Sequence, residues 1–192
     1  PVMATMPSLF VSHGAPNLIL YDSPATRFLS EYAGRIGKPA AILSVSAHFE
    51  TDRPAVVADP SPEMIYDFGG FERELYTLKY PAPGDPALAK RVAGLLADAG
   101  LGPAIVPKRG YDHGTWVPLM LLYPDADVPV AQLSVQPGLS AAHHYRLGQA
   151  LASLRDEGVL IVGSGSFSHN LHEAFLRLRQ GDIEADRPDW VE

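Results

Sequence analysis

A chain of 192 residues with 46% hydrophobic and 19% charged residues has the make-up of one globular domain able to bury a core without staples. It contains no cysteine, which excludes a disulfide scaffold, a thiolate nucleophile, a cysteine zinc finger and an iron–sulfur site. With 15 Lys and Arg against 22 Asp and Glu, the net charge of -7 opposes a non-specific grip on nucleic acid or on an anionic membrane. No apolar run approaches the roughly 18 residues of a membrane span. The segment Pro1–Pro7 lacks the basic-then-apolar pattern of a signal peptide. A soluble, cytoplasmic protein is therefore expected.

In chain order, short Val/Ile/Leu-rich runs predict strands at Ser8–Val11, Ala40–Val45, Ala55–Val57, Ala104–Val106, Val128–Ser134 and Val159–Val162. None alternates cleanly, as expected of strands covered on both faces. Helices fall between them. Ser23-Pro24 starts one and Gly37 stops it. Asp85-Pro86 starts the next, with Leu88, Val92, Leu95 and Leu96 on one face and Gly100 after it. A shorter helix is expected from Thr115 to Leu122. Another opens at Ser140, carries Leu147, Leu151 and Leu154 on one face, and precedes Gly158; a last one spans His169 to Arg179. Strands alternating with helices predict an α/β sandwich on a largely parallel or mixed sheet. Thr51–Pro83 breaks the rhythm with five prolines and several aromatics. Apart from Ala55–Val57 it is expected to be a long excursion with little regular structure, and such excursions are usually functional.

The chemistry-bearing signal is histidine. Three of the seven follow predicted strands: His13 after Leu9–Ser12, His48 after Leu43–Ala47, and His169 after Ile161–Ser168. His113 lies in the Gly-rich turn Tyr111-Asp112-His113-Gly114 before a helix. In an open α/β sheet the carboxyl ends of strands converge on one crevice, so these imidazoles can meet. Imidazole is the commonest metal ligand and also titrates near neutrality. A cluster without thiolate suits Zn²⁺, Fe²⁺ or a similar cation. His143 and His144, adjacent at a polar helix start, are read as solvated surface, and His172 as a packing or partner residue. Among the carboxylates, Glu50 is the one expected near a ligand, with Asp22, Asp52, Glu63 and Asp67 solvated. Gly163-Ser164-Gly165-Ser166-Phe167-Ser168 matches neither a dinucleotide loop nor a nucleophile elbow. Its small residues are read as making room for a close approach.

Six blocks, in order along the whole chain, carry a family likeness: Ser12-His13-Gly14-Ala15-Pro16, Ser44-Val45-Ser46-Ala47-His48, Tyr66-Asp67-Phe68-Gly69-Gly70-Phe71, Tyr80-Pro81-Ala82-Pro83-Gly84, Asp112-His113-Gly114-Thr115-Trp116-Val117-Pro118-Leu119 and Gly163–Leu171. Together they resemble the DOPA-dioxygenase-type class III extradiol ring-cleavage dioxygenases, relatives of the catalytic subunit of protocatechuate 4,5-dioxygenase. The resemblance implies a single-domain three-layer α/β/α sandwich over residues 1–192, with a mononuclear non-haem Fe²⁺ in the active form and Zn²⁺ able to take its place. It implies a small aromatic diol and dioxygen as substrates, with no nucleic-acid or membrane partner; oligomeric state is left open. By position His13 and His48 match metal ligands, His169 matches the acid/base histidine and His113 a second active-site histidine. Asp112 is expected to fix the His113 tautomer, and Tyr66–Phe71 with Trp116 either to wall a planar ring or to serve as ordinary core packing. The family's remaining ligand belongs to a C-terminal block not found before Glu192, so the domain is expected to lack its C-terminal segment. Two alternatives on the same scaffold are a zinc-holding hydrolase and a non-catalytic binding protein.

Overall fold

The computed structural model describes residues 5–170 together with His172 and Leu176. All six expected strands form: β1 (Ser8–Ser12), β2 (Ala41–Ser46), β3 (Ala55–Val57), β4 (Ala104–Val106), β5 (Val130–Leu133) and β6 (Val159–Gly165). They make one sheet in the order β1-β6-β2-β5-β3-β4, parallel except where β3 meets β5. Among the described residues it is accompanied by the helices α1 (Pro24–Ile36), α2 (Pro86–Asp98), α3 (His113–Leu122) and α4 (Ala141–Leu151). Of the helix expected from His169 to Arg179, His169 and Asn170 are described and not helical, His172 and Leu176 are described as helical, and the rest lies outside the described residues. Among the described residues no helix is long and apolar enough to cross a membrane.

Local chemistry sets the helix starts. Ser23 and Thr26 form a reciprocal capping box ahead of α1, with Pro24 in the first turn. Asp85 accepts from the Leu88 amide at 2.9 Å to cap α2. Asp112 accepts from the Thr115 amide at 3.2 Å, so α3 begins at His113, two residues earlier than its apolar pattern suggests. α4 is shorter than expected. It ends at Leu151 and the chain tightens into a 3-10 turn, Ala152–Glu157, that still buries Leu154 and closes on left-handed Gly158.

Two cores lie on opposite faces of the sheet. Leu29 of α1 and Trp116, Val117, Leu119 and Leu122 of α3 pack on Ile42, Leu160 and Val162. Leu88, Val92 and Leu96 of α2 with Leu147 and Leu151 of α4 pack on Leu43, Leu133 and Val159. The expected three-layer arrangement follows. α3 is buried almost all round, which explains why its sequence shows no polar stripe. The 51–83 excursion is more ordered than its composition suggested. It contains the 3-10 turn Arg73–Thr77 and a bridge from Met64 to Tyr111, and it packs Tyr66, Phe68 and Phe71 against the α3 core.

Candidate metal centre

β1, β6 and β2 are adjacent and parallel, with Ser12 level with Gly165 and Ser46 level with Ser164. His13 and His48 therefore leave the sheet on either side of β6, at strand ends roughly 9–10 Å apart. Both rings lean over β6, above Ser164. His13 Nε2 and His48 Nε2 come within 3.0 Å, and His13 Nδ1 is hydrogen-bonded to Ser164 Oγ at 2.9 Å. His113, the first residue of α3, completes the group. Its ring centroid lies 4.0 Å from that of His48 and 5.0 Å from that of His13. One nitrogen from each of the three rings lies within 4.8 Å of the others.

Each ring's other nitrogen meets a partner. His113 Nδ1 faces Asp67 Oδ1 at 2.8 Å, and an ionised carboxylate only accepts, so Nδ1 carries the proton. The His113 amide donates to the same oxygen at 3.1 Å, and Asp67 Oδ2 lies 3.8 Å from His48 Nδ1. Burial first, then the neighbouring His113 and His48, push the His13 pKa down to about 4. His48 is lowered by burial and by His113, with a smaller push from His169. Burial raises the Asp67 carboxyl, but the hydrogen bonds from His113 more than reverse this and leave it below its ordinary value.

These residues fit a cation. Facing Nε2 lone pairs 3.0 Å apart repel unless a proton or a metal lies between them. Two nitrogens each about 2.0–2.1 Å from one ion at angles of about 90–109° sit about 2.8–3.4 Å apart. Neutral imidazoles whose second nitrogens are held by a hydroxyl or a carboxylate are the arrangement that orients ligands toward a metal. The centre thus offers up to three imidazole nitrogens and no thiolate.

The structure revises several expectations. Asp67, not Asp112, fixes the His113 tautomer; the Asp112 carboxylate points away to Ser46 and the Thr115 amide. Asp67 rather than Glu50 is the carboxylate at the histidines. Glu50 is exposed and lines a separate groove with Thr51, Asp52, Gln136 and Leu139. His143 and His144 are not free surface. His143 Nε2 is hydrogen-bonded to Gln136 Oε1 at 2.8 Å, and His144 Nε2 accepts from the Gln136 amide at 3.1 Å. Trp116 is wholly buried and donates to the Ile65 carbonyl, so it supports Tyr66 and Phe68 from behind; Phe68 itself reaches the site edge-on to His113 at 5.6 Å. His169 is exposed after β6, near enough to His48 for its charge to be felt there. His172 is exposed.

A mostly parallel α/β/α sandwich with histidines gathered at the carboxyl ends of its strands defines an α/β protein with a candidate metal centre. More narrowly, the chain belongs to the family of the catalytic LigB subunit of aromatic ring-opening dioxygenase, whose model matches residues 5–181. It is 54% identical over 166 residues to a 4,5-DOPA dioxygenase extradiol of Beta vulgaris, covering 84% of this chain and 62% of that protein. The protein of that name from Escherichia coli K12 is 46% identical over 168 residues, covering 86% and 61%. The dioxygenase tasH of Hapsidospora irregularis is 40% identical over 190 residues, covering 92% and 58%. The crystal structure of an uncharacterized Escherichia coli K12 protein superposes with a TM-score of 0.72 at 36% identity, over 95% of this chain and 75% of that one. The chain spans about three fifths of the length of these curated relatives.

Proposed function

We propose that this chain carries the metal centre of an extradiol dioxygenase, which opens the ring of a catechol-type aromatic diol with dioxygen. The observation that supports it most is the convergence of His13, His48 and His113 within 4.8 Å at the sheet's carboxyl edge. Family membership and the names of the relatives supply the substrate class. His13 and His48 are the ligands in this reading, and Fe²⁺ is the working ion. Zn²⁺ suits the same nitrogens but has no redox chemistry. A ferrous ion bound there would acidify the diol hydroxyls and supply electrons to dioxygen.

The side chains do the rest. His113, its Nδ1 proton held by Asp67, would turn its other nitrogen toward the space shared with His13 and His48 and there orient the diol or the oxygen. His169 takes the proton of the second hydroxyl on an imidazole nitrogen and returns it as the ring opens. Acid–base help of this kind is worth about 10²–10⁴ in rate. Phe68, edge-on to His113, gives the planar ring an apolar side.

The test is anaerobic reconstitution with Fe²⁺, then oxygen uptake and product absorbance with a panel of catechols. Uptake with at least one catechol is expected. His169→Ala should retain iron and lose about 10²–10⁴ in turnover. An iron-loaded chain that consumes no oxygen with any catechol overturns the proposal.

A further inference from the structure

Behind the imidazoles lies a second, buried polar arrangement. Asp112 is 1% exposed, and its two carboxylate oxygens serve different elements. Oδ1 accepts from Ser46 Oγ at 2.6 Å, at the end of β2, and from the Thr115 amide in the first turn of α3. Oδ2 faces the Arg109 guanidinium at 3.0 Å, an ion pair without the alignment of a hydrogen bond. Ser46 Oγ in turn accepts the His48 amide at 3.1 Å. The Arg109 side chain, 17% exposed, donates to Gln132 Oε1 on β5 at 2.9 Å and to the His48 carbonyl at 3.4 Å, and it lies 4.1 Å over the Phe49 ring.

A helix cap does not require this much. An N-cap needs one side-chain acceptor, which Asn supplies as well as Asp. Here the carboxylate is buried with a guanidinium, an arrangement costly in desolvation and weak as a source of stability. What the pair adds is geometry. Its contacts hold the backbone on both sides of His48 and the helix turn that carries His113. The pieces joined are 66 residues apart between Ser46 and Asp112 and 61 apart between His48 and Arg109.

We propose that Asp112 and Arg109 are positioning residues for the histidine centre. They lock the loop carrying His48 to the first turn of α3, so that His48 and His113 face the same space as His13. The inference rests on the metal-centre reading above.

The test uses the whole metal-free chain, titrated with Co²⁺ and followed by visible absorption, with thermal melts of the metal-free proteins beside it. Wild type should bind Co²⁺, and His13→Ala should abolish binding. Asp112→Asn keeps the cap and removes the charge, and Arg109→Met removes the guanidinium. Both should weaken Co²⁺ binding by about 10–100-fold; each single variant strands the partner charge and lowers the metal-free melt, whereas the Asp112→Asn/Arg109→Met double variant should melt close to wild type and still bind Co²⁺ weakly. Arg109→Lys, which keeps the charge but not the planar fork, should restore part of the loss. If Asp112→Asn does not fold, Ser46→Ala removes the bridging hydroxyl alone and should show the same weakening.

Wild-type Co²⁺ affinity in these variants overturns the positioning role and leaves the metal centre standing. So does a loss of affinity that only tracks lost folding and is not rescued by Lys. A wild-type chain that binds no Co²⁺, or binding that survives His13→Ala, overturns the metal centre and the positioning role with it.

Discussion

His13 is 6% exposed and shares its surroundings with two other imidazoles, so a proton on it is disfavoured twice: by lost hydration and by its neighbours. Its pKa of about 4 in the folded chain lies below the ordinary 6.5. As pH falls, the unfolded chain therefore takes up the proton first. Stability contributed by the neutral ring is complete above about pH 6.5 and is lost as pH falls toward about 4, by about 3 kcal/mol at most. His48, lowered in the same direction, adds to the slope. The urea midpoint of the metal-free chain should fall between pH 7 and pH 5, and His13→Gln should flatten that fall. A midpoint independent of pH over this window, or an equal slope in the variant, would contradict the burial of a neutral His13. At this scale the sequence was partly legible. The imidazoles stood out because three of them follow apolar runs. Asp67 did not, because its partner His113 is 46 residues away and no local periodicity joins a loop carboxylate to a distant ring.

At the scale of elements, the approach of α3 to β2 is what brings His113 to His48. Gly114 makes that approach: a Cβ there would sit 2.3 Å from Ser46 Oγ, 3.1 Å from Asp112 Oδ1 and 3.1 Å from His48 Cδ2. Ser46 is held by Asp112 and cannot swing aside freely. Gly114→Ala should therefore push the first turn of α3 away, costing about 1–3 kcal/mol by overpacking and weakening metal binding. Gly148, in α4 with nothing within 4 Å of an added Cβ, is the matched control. There Ala should stabilise by about 0.5–1 kcal/mol through helix propensity alone. Chemical denaturation of the two variants separates these outcomes, and a harmless Gly114→Ala would mean that α3 packs less closely than described. The elements themselves were readable because buried strands must be apolar and helix starts need caps. β6 runs past its expected end at Val162 because Gly163 and Gly165, whose small size reads as room for a close approach, continue the ladder beneath Phe10. The 3-10 turn in the excursion was not readable, since only packing against the α3 core selects it.

At the scale of the molecule, strand order makes the centre. β6, late in the chain, inserts between β1 and β2, and this places residues 13 and 48 on either side of Ser164. No local pattern encodes that insertion; it follows from closing a mostly parallel sheet between two helical layers. Metal binding and folding are consequently linked. The nitrogens come from the ends of β1 and β2 and the start of α3, so an unfolded chain presents no such group, and an ion binding only the folded state adds RT ln(1 + [ion]/Kd) to its stability. At a hundredfold excess over Kd that is about 2.7 kcal/mol, and for a chain of this length about 5–10 °C in Tm. Differential scanning calorimetry with Zn²⁺ or Co²⁺, which need no protection from oxygen, should show this rise, and a chelator should reverse it. His13→Ala and His48→Ala should each lose the rise while keeping a cooperative transition, because each removes a ligand but leaves both cores intact. An equal rise in both variants would place the ion elsewhere, and strand order would then have gathered these rings for some purpose other than holding a metal.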